Sequence, residues 1–166
     1  VTGASSGMGK AITTLFVQEG AKVVAVARRI ERLEELAESL KGEPGEIEIF
    51  SADITSVDKN NEMIDFAVEK FGHLDILVNN AGIMDDMSPV GDMTDEMLDR
   101  VMKINGYAPI YAMRKAVLDI GIENMFISPR LFFQDGRVPR RIFCEERIAI
   151  AFVIPGKPLS KKKIQY

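Results

Sequence analysis

Three apolar, β-branched runs, KVVAVA (22–27), EIEIFSAD (46–53) and LDILVNNAG (74–82), alternate with amphipathic stretches, and this rhythm constrains the fold most tightly. KVVAVA is apolar at successive positions, as a parallel strand buried on both faces reads. EIEIFSAD alternates, and LDILVNNAG runs from a buried strand into a turn. Between them the period changes to that of a helix. AITTLFVQEG (11–20) places Ala11, Ile12, Leu15 and Phe16 on one face and stops at Gly20. IERLEELAESL (30–40) turns Ile30, Leu33, Leu36 and Leu40 inward, and 57–72 carries a stripe of Met63, Ile64, Ala67, Val68 and Phe71. Thr94 caps a further helix whose first turn, DEM, is acidic. Strand–helix repetition with short connections predicts an α/β fold, a doubly wound parallel sheet with helices on both faces.

At 166 residues the chain is one domain by length, with ordinary apolar (46%) and charged (28%) content. No apolar run approaches the ~18 residues of a membrane span, so no membrane partner is expected. The lone cysteine, Cys144, excludes an internal disulfide and fits a reducing, cytoplasmic setting. It has no metal-ligand partners, and His73 reads as a surface-loop residue, so no metal is expected. A net charge of −4 gives no reason to expect nucleic acid. That average hides a seam. Residues 119–166 hold nine Lys/Arg and five Asp/Glu, whereas the first 118 hold 12 and 20. We therefore divide the chain into a sheet-forming portion, 1–118, and a divergent tail, 119–166, in which no strand–helix period is sustained.

The opening, VTGASSGMGK, sets glycines at 3, 7 and 9 between a β-type residue and a helix. Backbone N–H groups at such a helix start suit a pyrophosphate, although a glycine triplet alone also makes a plain tight turn. IYAMRK (110–115) places Tyr111 and Lys115 four residues apart, on one helical face, where a phenol beside an ammonium raises the question of a proton donor.

The opening resembles the Thr-Gly-x-x-x-Gly-x-Gly motif of the short-chain dehydrogenase/reductase family. NNAG (79–82) matches that family's second signature, and FSAD and VMKINGYAP continue the likeness in order to about residue 118. The likeness is strongest to members of the 3-oxoacyl-[acyl-carrier-protein] reductase type. It implies a Rossmann-type sheet and an oxidoreductase that passes hydride between a nicotinamide and a small carbonyl or alcohol substrate, in a homo-oligomer. It further implies that Gly3, Ser5, Ser6, Gly7, Met8 and Gly9 hold the pyrophosphate and adenosine ribose. Asp53 and Ile54 would flank the adenine, Asn80, Ala81 and Gly82 would line the cofactor side of a strand, and Asn105 would be the catalytic asparagine. NAD-dependent relatives carry an acid at the end of the second strand. Here Ala27 is followed by Arg28 and Arg29, which suit a 2′-phosphate, so NADP(H) is favoured over NAD(H).

The family's proton donor is a tyrosine in Tyr-x-x-x-Lys about forty residues past the asparagine, with a serine about thirteen before it. Tyr111 follows Asn105 by six residues and is a decoy by that spacing. Ser128, Ser160 and Tyr166 supply no replacement, and IPG (154–156) matches the end of the family's sixth strand in three residues only. The tail is what a reading-frame change near residues 118–122 would produce. Read from third codon positions, permitted codons for ENMFISPR spell Lys-Tyr-Val-Tyr-Ile-Ser-Ser, like the family's serine strand. A natural variant and a fused segment are the alternatives. Val1 aligns with the end of the family's first strand, so the expected fold is shortened at both ends and marginally stable. The expectations for function are an oxidoreductase whose given chain lacks the serine and the tyrosine pair, a nucleotide-binding or interaction module without turnover, or a fragment without function.

Overall fold

The computed structural model describes residues 1–85, 87, 89–117 and, as backbone, 124–127. The expectations for Ser128, Cys144, residues 154–156, Ser160 and Tyr166 lie outside the described residues. Four strands, β1 (Lys22–Ala27), β2 (Glu46–Ser51), β3 (Ile76–Asn79) and β4 (Asn124–Ile127), are joined by helices α1 (Gly7–Gln18), α2 (Ile30–Ser39), α3 (Val57–Phe71), α4 (Asp95–Val101) and α5 (Ala108–Lys115). A widened π-helical turn, Met102–Tyr107, links α4 to α5. Parallel pairing runs through the sheet: Lys22 faces Glu46 in β1–β2, and Ile76 faces Asn124 in β3–β4. Pairing thus continues beyond residue 118, into the segment where the sequence shows no sustained period.

Val1 and Thr2 join the two strand pairs. The Val26 N–H donates to the Val1 carbonyl at 2.9 Å, and the Thr2 N–H donates to the Val78 carbonyl at 2.9 Å. The spatial order is therefore β2, β1, Val1–Thr2, β3, β4. After the exposed Lys22 the run is apolar, Val23 to Ala27, because both of its faces are covered. Val23, Ala25 and Ala27 pack with Leu33, Leu36 and Val17 of α2 and α1. Val24 and Val26 pack with Met63, Ile64, Ala108 and Ala112 of α3 and α5. This is the doubly wound arrangement expected from the alternation.

The helix ends follow local chemistry. The Thr94 hydroxyl accepts from the Met97 N–H at 3.2 Å, and Gly72 closes α3 in the left-handed region at φ 84°. The stripes expected on α2 and α3 face inward, with Leu33, Leu36, Met63, Ile64 and Ala67 all buried.

The face expected for α1 is corrected in part: Phe16 packs against the core beside α2 and Ile12 is partly buried, but Ala11 and Leu15 are not turned inward. The buried residues of α1 are Gly9, Thr13 and Val17, while Ala11 is exposed and Leu15 is 43% exposed. The cause is steric. A Cβ on Gly9 would lie 2.2 Å from the Gly3 carbonyl oxygen, so the helix rolls to bring Gly9 against that turn. Residues four and eight further on must then point inward, whatever their polarity. Among the described residues no helix is long and apolar enough to cross a membrane.

Candidate cofactor site

A cleft of about 220 Å³ opens where the chain leaves the carboxyl ends of the strands. Its floor is the turn before α1. Gly3 stands at φ +70°, and a Cβ there would come within 2.9 Å of Ala81 Cα and of Asn80 Nδ2. Only glycine fits. The hydroxyl of Thr2 ties the floor to the NNAG turn: it donates to the Val78 carbonyl at 3.4 Å and accepts the N–H groups of Asn80 and Ala81, both at 3.1 Å. Asn80 Nδ2 returns a bond to the Thr2 carbonyl at 3.0 Å. Thr2 was not among the sequence-derived site residues. Its signal, the Thr of the Thr-Gly pair, was on view but points away from the cleft.

The start of α1 is suited to an anion. Ser6 occupies the capping position with extended backbone, yet its side chain makes no capping bond, and the first turn holds no acid. The first-turn N–H groups keep their partial positive charge for a ligand. Ser5, Ser6, Gly7 and Met8 line the cleft above them.

The wall at the end of β1 is formed by Ala27, Arg28 and Arg29, and the wall at the end of β2 by Ala52, Asp53 and Ile54. Asp53 is the one carboxylate among the described residues that line the cleft. Its Oδ1 accepts from the Thr55 N–H at 3.0 Å and from the Thr55 hydroxyl at 2.9 Å. The Thr55 N–H bond chiefly, opposed by burial and helped by that hydroxyl and the Arg28 charge, holds the Asp53 carboxyl below the usual carboxylate range. The opposite wall is Asn80, Ala81, Gly82, Ile83 and Ile104.

Every expected cofactor-binding residue lines this cleft except Gly9, which lies beneath the floor, where its missing side chain lets α1 meet Gly3. Asn105 does not line it either. Its side chain clasps the backbone of Ile83, Oδ1 accepting from the Ile83 N–H at 2.9 Å and Nδ2 donating to the Ile83 carbonyl at 2.7 Å. Ala27, which the sequence places at the position of the relatives' acid, completes the lining together with Val26, Ala52, Ile83 and Ile104, and these last four were missed. Ile83 directly follows NNAG and Ile104 directly precedes Asn105, so adjacency to those motifs was the signal.

Tyr111 and Lys115 are not brought together at the cleft. The Tyr111 ring packs against Tyr107 at 6.5 Å between centroids, with Arg114 5.4 Å away. Lys115 Nζ reaches back to Asp65 Oδ1 on α3 at 2.8 Å. His73 is exposed and lies 3.0 Å from Asp75, and no group of side chains that could hold a metal occurs among the described residues.

Residues 1–122 match the family model described as short chain dehydrogenase. The chain is 38% identical over 117 residues to 3beta-hydroxysteroid dehydrogenase 2 of Eggerthella lenta, an alignment covering 70% of this chain and 45% of that protein. It is 42% identical over 105 residues to the 3-oxoacyl-[acyl-carrier-protein] reductase FabG of Thermotoga maritima, covering 63% and 42%. In three dimensions it is similar to a metagenomic short-chain oxidoreductase solved in complex with NADP. That likeness has a TM-score of 0.65 at 32% identity and covers 69% of this chain and 52% of the other. The chain spans about half the length of the curated relatives it matches.

Proposed function

Because the chain belongs to the short-chain dehydrogenase family, we propose that its cleft binds NADP(H) and serves an oxidoreductase acting on a small carbonyl or alcohol substrate. The observation that carries this is the cleft itself. A glycine floor under an uncapped helix start faces two arginines and, among the described residues, a single, internally bonded carboxylate.

The residues fit the cofactor. The first turn of α1 with Ser5 and Ser6 would take the pyrophosphate, and Asp53 with Ile54 would flank the adenine. Asn80, Ala81 and Gly82 would border the nicotinamide-side ribose. Arg28 and Arg29 would take the 2′-phosphate, where a carboxylate would repel it. A relative solved with NADP supports that preference. A bound nicotinamide supplies hydride chemistry. The chain's own contribution is to orient it, with Asn105 fixing the Ile83 backbone on the cleft wall. The 166 residues hold no Ser and Tyr-x-x-x-Lys at the family's spacing, so cofactor binding without turnover is expected of this polypeptide.

Fluorescence titration tests the reading. NADPH is expected to bind saturably and about tenfold more tightly than NADH, with Arg28→Glu removing the difference. Equal affinity for the two cofactors overturns the preference, and absence of binding overturns the site. Ketone-dependent NADPH oxidation by this chain would overturn the claim of binding without turnover.

A further inference from the structure

We propose that Asn60 is a positioning residue that ties the adenine-side wall of the cleft to the segment carrying Asn105. Asn60 sits on the inward face of α3, fully buried, in line with the apolar Met63, Ile64 and Ala67. Packing alone would be served there by an aliphatic side chain, and burying an amide without partners is costly. Its Nδ2 has partners on two different elements. It donates to the Ile54 carbonyl at 2.7 Å and to the Ala108 carbonyl at 3.0 Å. Its Oδ1 has none. The amide is therefore held at this position by its donors.

What those donors connect gives the residue its role. Ile54 lines the cleft on the adenine side. Ala108 begins α5, directly after the π-helical turn that contains Ile104, on the opposite wall, and Asn105, which clasps Ile83. That turn is wide for a local reason. Pro109 lacks an N–H, so the Asn105 carbonyl loses the donor that a regular helix would offer it. A widened turn relies on anchors outside itself. Asn60 anchors its far end at Ala108, and Asn105 anchors its middle at Ile83. The two asparagines thus hold one irregular segment against both walls, and Asn60 sets their separation.

The test compares the unmodified chain with Asn60→Leu and Asn60→Ser at a temperature where circular dichroism shows each folded. Hydrogen exchange at the Ile83 amide is the first readout. This amide is bonded to Asn105 and not to Asn60. It is expected to exchange about tenfold faster in Asn60→Leu, with an intermediate change in Asn60→Ser, whose hydroxyl keeps one donor. The second readout rests on the cofactor reading. NADPH, which spans both walls, should bind about tenfold more weakly to Asn60→Leu, whereas adenosine 2′,5′-bisphosphate, which meets the adenine side only, should change less than about threefold. If the variants melt earlier with Ile83 exchange unchanged, Asn60 is a core amide and the proposal falls. Where Asn60→Leu does not fold, Asn60→Ser decides by the same exchange measurement. If the unmodified chain binds no NADPH, the cofactor reading fails while the exchange comparison still judges Asn60.

Discussion

The seam between β1 and β3 has two ends, and they are built on opposite principles. At the carboxyl end, where Thr2 enters the turn, hydrogen bonds and glycines specify each atom. Thr2 engages Val78, Asn80 and Ala81, and Gly3 and Gly9 admit contacts that any Cβ would block. At the amino end, on the other side of Val1, the same strands border an apolar groove of about 400 Å³, lined by residues such as Val24, Met63, Ala67, Phe71 and Leu77. One end has directional partners that fix a ligand's position. The other has area without direction, which favours any apolar cover and selects none. Specificity on this scaffold lies where backbone geometry is most constrained, and apolar surface contributes only demand for burial.

The largest effect is expected at the apolar end. In the polypeptide that starts at Val1, the α-amine donates to the Val24 carbonyl at 2.9 Å. Burial lowers its pKa from 8.0 to about 5. The unfolded chain therefore holds a proton between pH 5 and 8 that the folded chain does not, so stability rises with pH across that window. It is fully present above pH 8 and is lost as pH falls toward 5, by as much as about 4 kcal/mol. Asp53 contributes in the same sense but lower on the scale: its lowered pKa gives stability that is lost as pH falls through the ordinary carboxylate value toward that lowered pKa, below this window. Glu19, Lys22, His73 and Asp75 also border the groove. Denaturant melts of the free chain and of an N-terminally acetylated chain isolate the amine, because these side chains are common to both. Parallel pH dependences in the two would refute the assignment.

A somewhat smaller effect is expected at the glycine-built end. A Cβ on Gly9 would press on the Gly3 carbonyl oxygen at 2.2 Å and on Asn80 Nδ2 at 2.5 Å, and the carbonyl, being backbone, cannot swing aside. Gly9→Ala should cost about 3 kcal/mol and, by lifting α1 from the floor, remove NADPH binding. Gly91→Ala, where an added Cβ meets nothing within 4 Å, is the control and should leave both unchanged. A Gly9→Ala protein with unaltered melt and titration would show that the floor tolerates what the geometry forbids.

Much of this was legible in the residues, and the exceptions share a cause. Period and β-branching located β1, β2 and β3 and their helices because burial on two faces leaves a run such as VVAVA (23–27) no polar position. The cleft lining was legible for Ser5 to Met8 and for Asn80 to Gly82 because those residues sit inside short motifs. The phase of α1 was not. Hydrophobicity pointed to Ile12 and Leu15, whereas a single backbone contact at Gly9 turned Thr13 and Val17 inward. Asn60 was hidden for the same reason. A polar residue in the first turn of a helix looks solvated, and only the approach of Ile54 and Ala108, the latter 48 residues distant, makes it a buried link. Likewise Thr2 and Asn105 act on neighbouring backbone and not on the cleft directly. A linear pattern reports which face a residue prefers; it does not report which remote carbonyl will meet it.

The smallest effect is expected where the sequence looked most suggestive. Tyr111 and Lys115 share a helix at the spacing of interacting neighbours, yet one ring packs with Tyr107 and Arg114 while the ammonium pairs with Asp65. The aromatic contact needs the ring and not the hydroxyl. Tyr111→Phe should therefore shift stability by less than about 0.5 kcal/mol and leave NADPH affinity unchanged. Lys115→Met removes a partly buried partner of an exposed carboxylate and should cost about 1 kcal/mol, again without altering the titration. Both variants sharpen the contrast, since α5 lies beside the constrained end of the seam without lining its cleft. A loss of NADPH affinity on removing the Tyr111 hydroxyl would mean that this helix face reaches the cofactor, and the boundary drawn here between the cleft and its supports would have to move.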